Sequence, residues 1–134
     1  MKYLLDTNIC IYLIRNRPAE VRKKFISYAV GDIGISSITV AELWVGVEKN
    51  QQRDQAAFAL EQFLQALNIA DFDVQAAVLY GKIRAQLEKQ GTPIGPFDIL
   101  IAAHAIRLDA TLITNNVRKF ARVSGLKVEN WVNS

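Results

Sequence analysis

Short β-forming runs alternate with helical segments along the whole chain, and this alternation limits the choice of fold more than any other feature. The β-forming runs occupy residues 2–5, 32–35, 68–70, 111–114 and 127–129. Strands that are separated by helices pair in parallel and need helices on both faces of the sheet. We therefore expect an α/β fold with three layers, α/β/α, around a mostly parallel central sheet of about four or five strands.

Two apolar stripes at helical spacing predict helices that cover this sheet. The first stripe contains Ala57, Leu60, Leu64 and Leu67, and the second contains Ala76, Leu79, Ile83 and Leu87. Pro18 and Pro96 each suit the first turn of a helix, and Asp73 can cap the helix that follows it. We interpret Asp73 and its neighbour Asp71 as structural for that reason.

The composition fits a single globular domain over residues 1–134. The hydrophobic content is 51% and the charged content is 22%, which allows a substantial core. The one cysteine, Cys10, lies in an apolar run and is interpreted as a small core residue in a reducing compartment. No apolar run approaches the ~18 residues that span a membrane, and Asp6 and Asn8 interrupt any signal-like core. We expect a soluble, cytoplasmic protein without a membrane partner.

Three carboxylates, Asp6, Glu42 and Asp98, each stand alone in an uncharged and mostly apolar stretch. The stretches cover residues 3–14, 33–47 and 90–106, and none contains another acidic or basic side chain apart from one neutral histidine. A buried ionised acid needs a partner or a metal ion. If the fold brings the acids together, their repulsion raises their pKa values or requires a cation among them. Oxygen ligands suit Mg²⁺ or Mn²⁺, so the acids predict a metal site.

The predicted topology places these acids at one edge of the sheet. Asp6 directly follows the first strand, Glu42 lies in the opening turns of the helix after the second strand, and Asp98 begins a later helix. Asn116 comes just after the fourth strand. Parallel α/β sheets hold their sites at the carboxyl ends of the strands, so we expect four polar side chains from distant segments to meet there.

Each acid also has an ordinary explanation when it is considered alone. Asp6 could cap the next helix, Asp98 could favour a helix N-terminus, and Glu42 could face solvent from its helix. The explanation is weakest for Glu42, because its apolar neighbours leave little polar face for an exposed position. The shared placement of the three acids favours the functional interpretation.

Basic residues are unevenly distributed, although the net charge is only +3. One cluster contains Arg15, Arg17, Arg22, Lys23 and Lys24, and the other contains Arg118, Lys119, Arg122 and Lys127. Alone, such clusters are best explained as solvated faces. Beside an acidic metal site, they also suit a phosphodiester substrate.

Four segments in order resemble a known family. They are LLDTN at 4–8, SSITVAEL at 36–43, PIGPFDILIAAHA at 93–105 and LITNN at 112–116, and the ending GLKVENW at 125–131 continues the match. In these segments the chain closely resembles the PIN-domain ribonucleases, specifically the VapC toxins of type II toxin–antitoxin systems. Four segments at the correct spacing are far more specific than a lone Asp-Thr-Asn.

The resemblance implies a PIN-like fold and a Mg²⁺- or Mn²⁺-dependent endoribonuclease that cuts structured RNA, including transfer RNA. It also implies inhibition by a cognate VapB-type antitoxin and assembly as a homodimer. By this resemblance, Asp6, Glu42 and Asp98 are the metal-binding and catalytic acids, and Asn116 is the fourth catalytic position. The supporting polar residues are Thr7, Ser37 and Thr114, and the RNA-binding candidates are Arg15, Arg17 and Lys119.

Two residues depart from the family's pattern. Asn116 is neutral where many PIN domains have Asp, and Lys119 stands where close relatives often have an acid before Phe120. A second metal ion is therefore in question, because a site with three acids could hold one ion firmly and recruit the other only with the RNA phosphate, or could work with one ion. Lys119 could contact phosphate, although a solvated surface lysine is the simpler interpretation.

Several alternatives remain open at this level. His104, Trp44 and Tyr80 are better explained by packing than by catalysis or base stacking. The main alternative function is a weakly active or inactive PIN-like module that acts with its antitoxin in autoregulation. A phosphatase of the haloacid dehalogenase type needs a second acid where this chain has Asn8, and is remote. Cleavage of DNA stays open, since the same metal chemistry attacks both phosphodiesters.

Overall fold

The computed structural model describes residues 1–132, with the backbone alone at Val30, so the last two residues of the expected domain lie outside the described part. The strands are β1 Tyr3–Leu5, β2 Ile33–Ser36, β3 Asn68–Ala70, β4 Thr111–Ile113 and β5 Val128–Glu129. The helices are α1 Thr7–Arg15, α2 Ala19–Ile26, α3 Ser37–Glu48, α4 Arg53–Gln65, α5 Val74–Lys89, α6 Pro96–Arg107 and α7 Val117–Phe120. Every predicted strand is present, with its boundaries within a single residue of the prediction.

The strands form a parallel sheet in the spatial order β3-β2-β1-β4-β5. β1 lies in the centre, where Leu4 aligns with Gly34 of β2 on one side and with Leu112 of β4 on the other. The strand order therefore reverses between β1 and β4. Such a reversal opens a crevice at the carboxyl ends of the strands, which is where ligands bind in open α/β sheets. The expected α/β/α architecture is confirmed, and the sheet is entirely parallel within the described residues.

Leu4 and Leu5 point to opposite faces of β1, and each is fully buried in a separate apolar core. The core around Leu5 takes its helical residues from α1, α2, α3 and α4, and the core around Leu4 takes them from α5, α6 and α7. The first predicted stripe packs into the core around Leu5, Ile83 and Leu87 of the second pack into the core around Leu4, and Cys10 is buried as expected. Trp44 and Tyr80 pack half-buried against the cores, which agrees with their structural interpretation.

The helix starts agree with the residue types at those positions. Asp73 Oδ1 accepts a hydrogen bond from Ala76 N at 2.9 Å and caps α5, as predicted. Pro96 is the first residue of α6, and Pro18 immediately precedes α2. None of the helices within residues 1–132 has the length and apolar character that a membrane crossing requires.

Candidate active site

Asp6 lies between β1 and α1, at the carboxyl end of the central strand, and only 8% of it is exposed. Its Oδ1 accepts a hydrogen bond from Ile9 N at 2.9 Å, so Asp6 does cap α1. Burial raises the pKa of Asp6 above its ordinary value, and the charge of Asp98 adds to the increase, although bonds from Thr114 and Ile9 oppose it. Within residues 1–132, Asp6 forms no ion pair. A capping role alone leaves this buried charge uncompensated.

Glu42 lies in the second turn of α3 and is half-buried. Thr7 Oγ1 donates a hydrogen bond of 2.7 Å to Glu42 Oε1, which joins the first turn of α1 to α3. Because Thr7 directly follows Asp6, this bond holds the Glu42 carboxylate near the end of β1. Thr7 thus makes a contact of the kind that a supporting polar residue requires.

Asp98 lies in the first turn of α6 and forms an ion pair that the sequence did not reveal. Lys119 Nζ lies 2.8 Å from Asp98 Oδ2, and the two side chains are 31% and 35% exposed. The interpretation of Lys119 as a solvated surface lysine is therefore wrong. The ammonium lies among the acids, where its charge also acts to lower the pKa of Asp6.

Asn116 lies at the same edge and supports α7. Its Oδ1 accepts a hydrogen bond from Lys119 N at 3.2 Å, and its own N–H donates to Thr114 Oγ1 at 3.0 Å. Thr114 is fully buried at the end of β4 and also contacts Asp6 through its side chain. Asn116 and Thr114 therefore connect the position of Lys119 to that of Asp6.

The other predicted residues lie away from the acids or make different contacts. Ser37 Oγ accepts a hydrogen bond from Phe72 N at 3.1 Å and so anchors the start of α3 to the loop before α5. Arg15 and Arg17 are exposed near the end of α1, and neither side chain forms an ion pair with a described residue. Arg15 lies at the edge of a groove that Glu42 also lines.

That groove runs between α1, α3 and α4, and the sequence analysis missed it. Its walls are mainly apolar, and the residues that line it include Ile11, Ile14, Leu43, Val47 and Leu60, with Glu42 and Arg15 as the charged members. The stripe of α4 was correctly assigned to the core, but no spacing rule shows that α3 and α4 leave an open cleft between them. Because Glu42 lines it, the groove adjoins the acid cluster.

His104 is buried in α6 and is bonded across the sheet edge to β2. Its Nδ1 lies 2.7 Å from Ser36 Oγ, which also accepts a hydrogen bond from Ile38 N at 3.0 Å. The tautomer of His104 decides whether Nδ1 accepts the Ser36 hydroxyl proton or donates to the Ser36 oxygen. Burial lowers the pKa of His104, which agrees with a neutral ring. The predicted packing role of His104 is confirmed.

The acids lie at one edge of the sheet, but they are not arranged as a preformed metal site. Among residues 1–132, no three side chains of His, Cys, Asp or Glu lie in position to hold one metal ion together. The donor chemistry nevertheless suits a hard cation, since Asp6 is a buried carboxylate without an ion pair and is close enough to Asp98 for its pKa to respond. These residues therefore fit a divalent ion that Asp6 and Asp98 would hold, and Thr7 orients the Glu42 carboxylate at the same edge.

Known proteins match nearly the whole chain. The PIN domain family model matches residues 3–126. A tRNA(fMet)-specific endonuclease VapC of Shigella flexneri is 45% identical over 131 residues, which is 98% of each chain. Ribonuclease VapC2 of Haemophilus influenzae is 47% identical over 132 residues, covering 98% of this chain and 99% of the relative.

Solved structures agree with this result. VapBC2 of Rickettsia felis, bound to a DNA fragment from its promoter, superposes with a TM-score of 0.92 at 43% identity, over 98% of this chain and 99% of the other. DNA-bound VapBC of Salmonella typhimurium superposes with a TM-score of 0.93 at 41% identity, over 98% of both chains. Sequence and fold therefore lead to one conclusion: the chain belongs to the PIN-domain family and, within it, to the VapC ribonucleases.

Proposed function

We propose that this protein is the toxin of a type II toxin–antitoxin system and cleaves transfer RNA with a divalent cation, Mg²⁺ or Mn²⁺, held by Asp6 and Asp98. The observation that carries the proposal is the buried carboxylate of Asp6, which forms no ion pair with any residue from 1 to 132 and lies at the point where the strand order reverses. The bonds from Ile9 and Thr114 and the charge of Lys119 offset the burial of Asp6 only in part, because its pKa stays raised, and a bound cation would remove the remaining cost.

The ion would supply a bound water of lowered pKa and would offset the charge that develops on the phosphodiester during in-line attack. The side chains of the protein orient the acids for this task. Ile9 N and Thr114 fix the Asp6 carboxylate, and Thr7 orients Glu42, a carboxylate that would serve as a general base. Lys119 fixes one oxygen of Asp98 and leaves the other free for the ion.

The proposed substrate is the initiator transfer RNA. Support comes from the Shigella flexneri relative, which is named for its action on tRNA(fMet). The chain's basic clusters give the surface a means of contacting flanking phosphates, with Arg15 beside Glu42 in the groove. Arg15, Arg17 and Lys119 remain the predicted RNA contacts.

The proposed partner is a VapB-type antitoxin, as in the complexes of Rickettsia felis and Salmonella typhimurium. The apolar groove beside Glu42 provides a binding surface for such a partner next to the acids. A segment bound there would hinder the approach of RNA to the site. The predicted homodimer and cytoplasmic location also belong to this proposal.

The decisive experiment is cleavage of initiator transfer RNA by the purified, antitoxin-free protein with Mg²⁺ or Mn²⁺, compared with EDTA and with elongator tRNA(Met). Asp98→Asn should abolish cleavage. Asp109→Asn is the matched control, because Asp109 also pairs with a lysine, Lys127, but its side chain is 93% exposed at a distant surface. Cleavage that persists in EDTA or in Asp98→Asn would refute the proposed mechanism.

A second candidate is a binding module with weak or no turnover, and the Lys119–Asp98 ion pair is the observation that favours it. In that case an internal ammonium would permanently neutralise a metal ligand. The same experiment separates the two functions. A folded protein that cleaves no RNA with either metal, but still binds its antitoxin and promoter DNA, would support the module.

A further inference from the structure

The Lys119–Asp98 ion pair differs from the other ion pairs among residues 1–132. Its two side chains are 31% and 35% exposed, whereas each side chain in the other pairs is at least 40% exposed. An exposed pair between flexible side chains has little influence on its surroundings. A half-buried pair at the edge of an acid cluster is screened less and places a lasting positive charge there.

Contacts on both sides of Lys119 in the chain fix the position of its backbone. Asn116 caps α7 by accepting from Lys119 N, and the next residue, Phe120, is 1% exposed in the core. Lys119 Nζ also lies 5.3 Å from the centroid of the Phe120 ring. With the backbone held on both sides, the side chain extends toward Asp98 and its ammonium bonds Oδ2 there.

We propose that the ammonium of Lys119 takes the place of a second metal ion, so that the site binds a single divalent cation. The inference rests on the function proposed above. Lys119 occupies Asp98 Oδ2, which leaves Oδ1 to share one ion with Asp6. The ammonium remains in the site when the ion is bound, and it faces the phosphate of the RNA as a second positive charge.

Charge balance supports a single ion. The carboxylates of Asp6, Glu42 and Asp98 carry three negative charges, and Lys119 supplies one positive charge beside them. One divalent ion makes this group neutral. A second divalent ion would leave an excess of two positive charges in a partly buried region, with Lys119 repelling it at close range. Removal of the Lys119 charge should therefore raise the affinity for the ion, and reversal of the charge should allow a second ion to bind.

The test is the binding of Mn²⁺ to the full-length, metal-free protein, measured by titration calorimetry and by electron paramagnetic resonance. The wild type should bind one ion. Lys119→Met keeps the aliphatic stem without the charge, and its Mn²⁺ affinity should rise by about tenfold, while Lys119→Arg should stay within about threefold of wild type. Lys119→Glu adds a fourth acid and should bind two ions. Arg118→Glu is the control for charge reversal on the same helix and should bind one.

Circular dichroism with EDTA establishes that each variant is folded before titration. Two ions in the wild type would overturn the inference, and so would an unchanged affinity in Lys119→Met or the absence of Mn²⁺ binding in both proteins. Cleavage gives a second readout at saturating Mn²⁺. Under these conditions, Lys119→Met should cleave RNA more slowly than the wild type by about tenfold or more, and Lys119→Arg should recover most of the rate. A Lys119→Met variant that cleaves faster than the wild type would overturn the inference, because it would show that the lysine only competes with the ion.

The inference and the proposed function fail in different ways. If the wild type binds one ion and the Lys119 variants bind Mn²⁺ as predicted, but no RNA is cleaved, the single-ion site is retained and the nuclease function is removed. Metal-dependent cleavage by a wild type that binds two ions would retain the function and remove the single-ion site.

Discussion

Asp6 and Asp73 occupy the same local position and have opposite properties. Each precedes a helix, and the Oδ1 of each accepts a 2.9 Å hydrogen bond from the backbone N–H three residues later. The pKa of Asp73 is lowered, chiefly by its bond from Ala76 N and also by Arg107, which lies 3.1 Å away. The pKa of Asp6 is raised by burial, and Asp6 forms no ion pair with a basic side chain among the described residues. The cap is common to both, and the surroundings distinguish them.

This difference shows what a sequence motif for a helix cap does and does not establish. Asp-x-x at a helix start predicts the hydrogen bond correctly in both cases. It does not predict whether the carboxylate will be solvated and paired or buried and unpaired, which depends on β4 and α6. An acid that destabilises the apo protein at a sheet edge is typical of a functional site, whereas Asp73 stabilises its own helix.

The largest contrast should appear in catalysis. Asp6→Ala should reduce the single-turnover rate of RNA cleavage by more than about a hundredfold, because it removes a proposed direct metal ligand, whose loss exceeds the usual effect of an outer contact. Asp73→Ala should leave the rate within about threefold, measured below its melting temperature. Similar losses in both variants would show that the shared cap, and not the buried charge, supports activity.

In thermal stability, unlike in catalysis, the substitution of Asp73 should have the larger unfavourable effect. Asp73→Ala removes a helix cap and the partner of Arg107, so its Tm should fall by about 3–8 °C. Arg107→Gln keeps the cap and removes only the exposed ion pair, so it should lower the Tm much less. An Asp73→Ala variant as stable as the wild type would contradict the structural role of this residue. Differential scanning calorimetry measures these changes.

Asp6→Asn should stabilise the metal-free protein. Asn retains an oxygen that can cap α1, and it removes the charge whose burial is unfavourable, so the Tm in EDTA should rise by about 2–5 °C. Added Mn²⁺ should raise the Tm of the wild type but not that of Asp6→Asn. A lower Tm for Asp6→Asn in EDTA would mean that the charge at this position is compensated in the apo protein.

The smallest effect concerns pH. Since the folded pKa of Asp6 lies above its unfolded value of about 3.8, the folded state binds more protons between the two values, and ionisation lowers stability as the pH rises through this window. The Tm advantage of Asp6→Asn should therefore grow as the pH increases from about 4 to 7. For Asp73, whose pKa is lowered, stabilisation should be present above the unfolded value and lost as the pH falls through the folded one.

Much of the fold follows from local sequence. The strands are short apolar or β-branched runs between helices, and their boundaries lie within one residue of the predictions. Pro96 marks the start of α6 and thereby places Asp98 at the carboxyl edge. Strand ends in a parallel sheet meet at one edge whatever the details of packing, so the assembly of Asp6, Glu42, Asp98 and Asn116 there needed no knowledge of side-chain contacts.

The contacts within the site could not be predicted in the same way. Lys119 and Asp98 are 21 residues apart, and Thr7 and Glu42 are 35 apart, so each bond depends on how separate elements pack. The bond between Ser36 and His104 spans 68 residues across the sheet. Residue type indicates that a lysine can pair with an acid, but only the position of α7 beside α6 determines which acid it meets.

The position of β1 between β2 and β4 has a consequence for the cell that makes this protein. Leu4 pairs with Gly34, which is synthesised soon afterward, and with Leu112, which appears only near the end of translation. Until β4 emerges, Asp6 N has no Ile113 carbonyl to bond, and the ribosome holds a chain with an open central edge. Such distant pairing forms late. The edge that carries Asp6 and Asn116 is therefore completed only after β4 has been synthesised, late in translation.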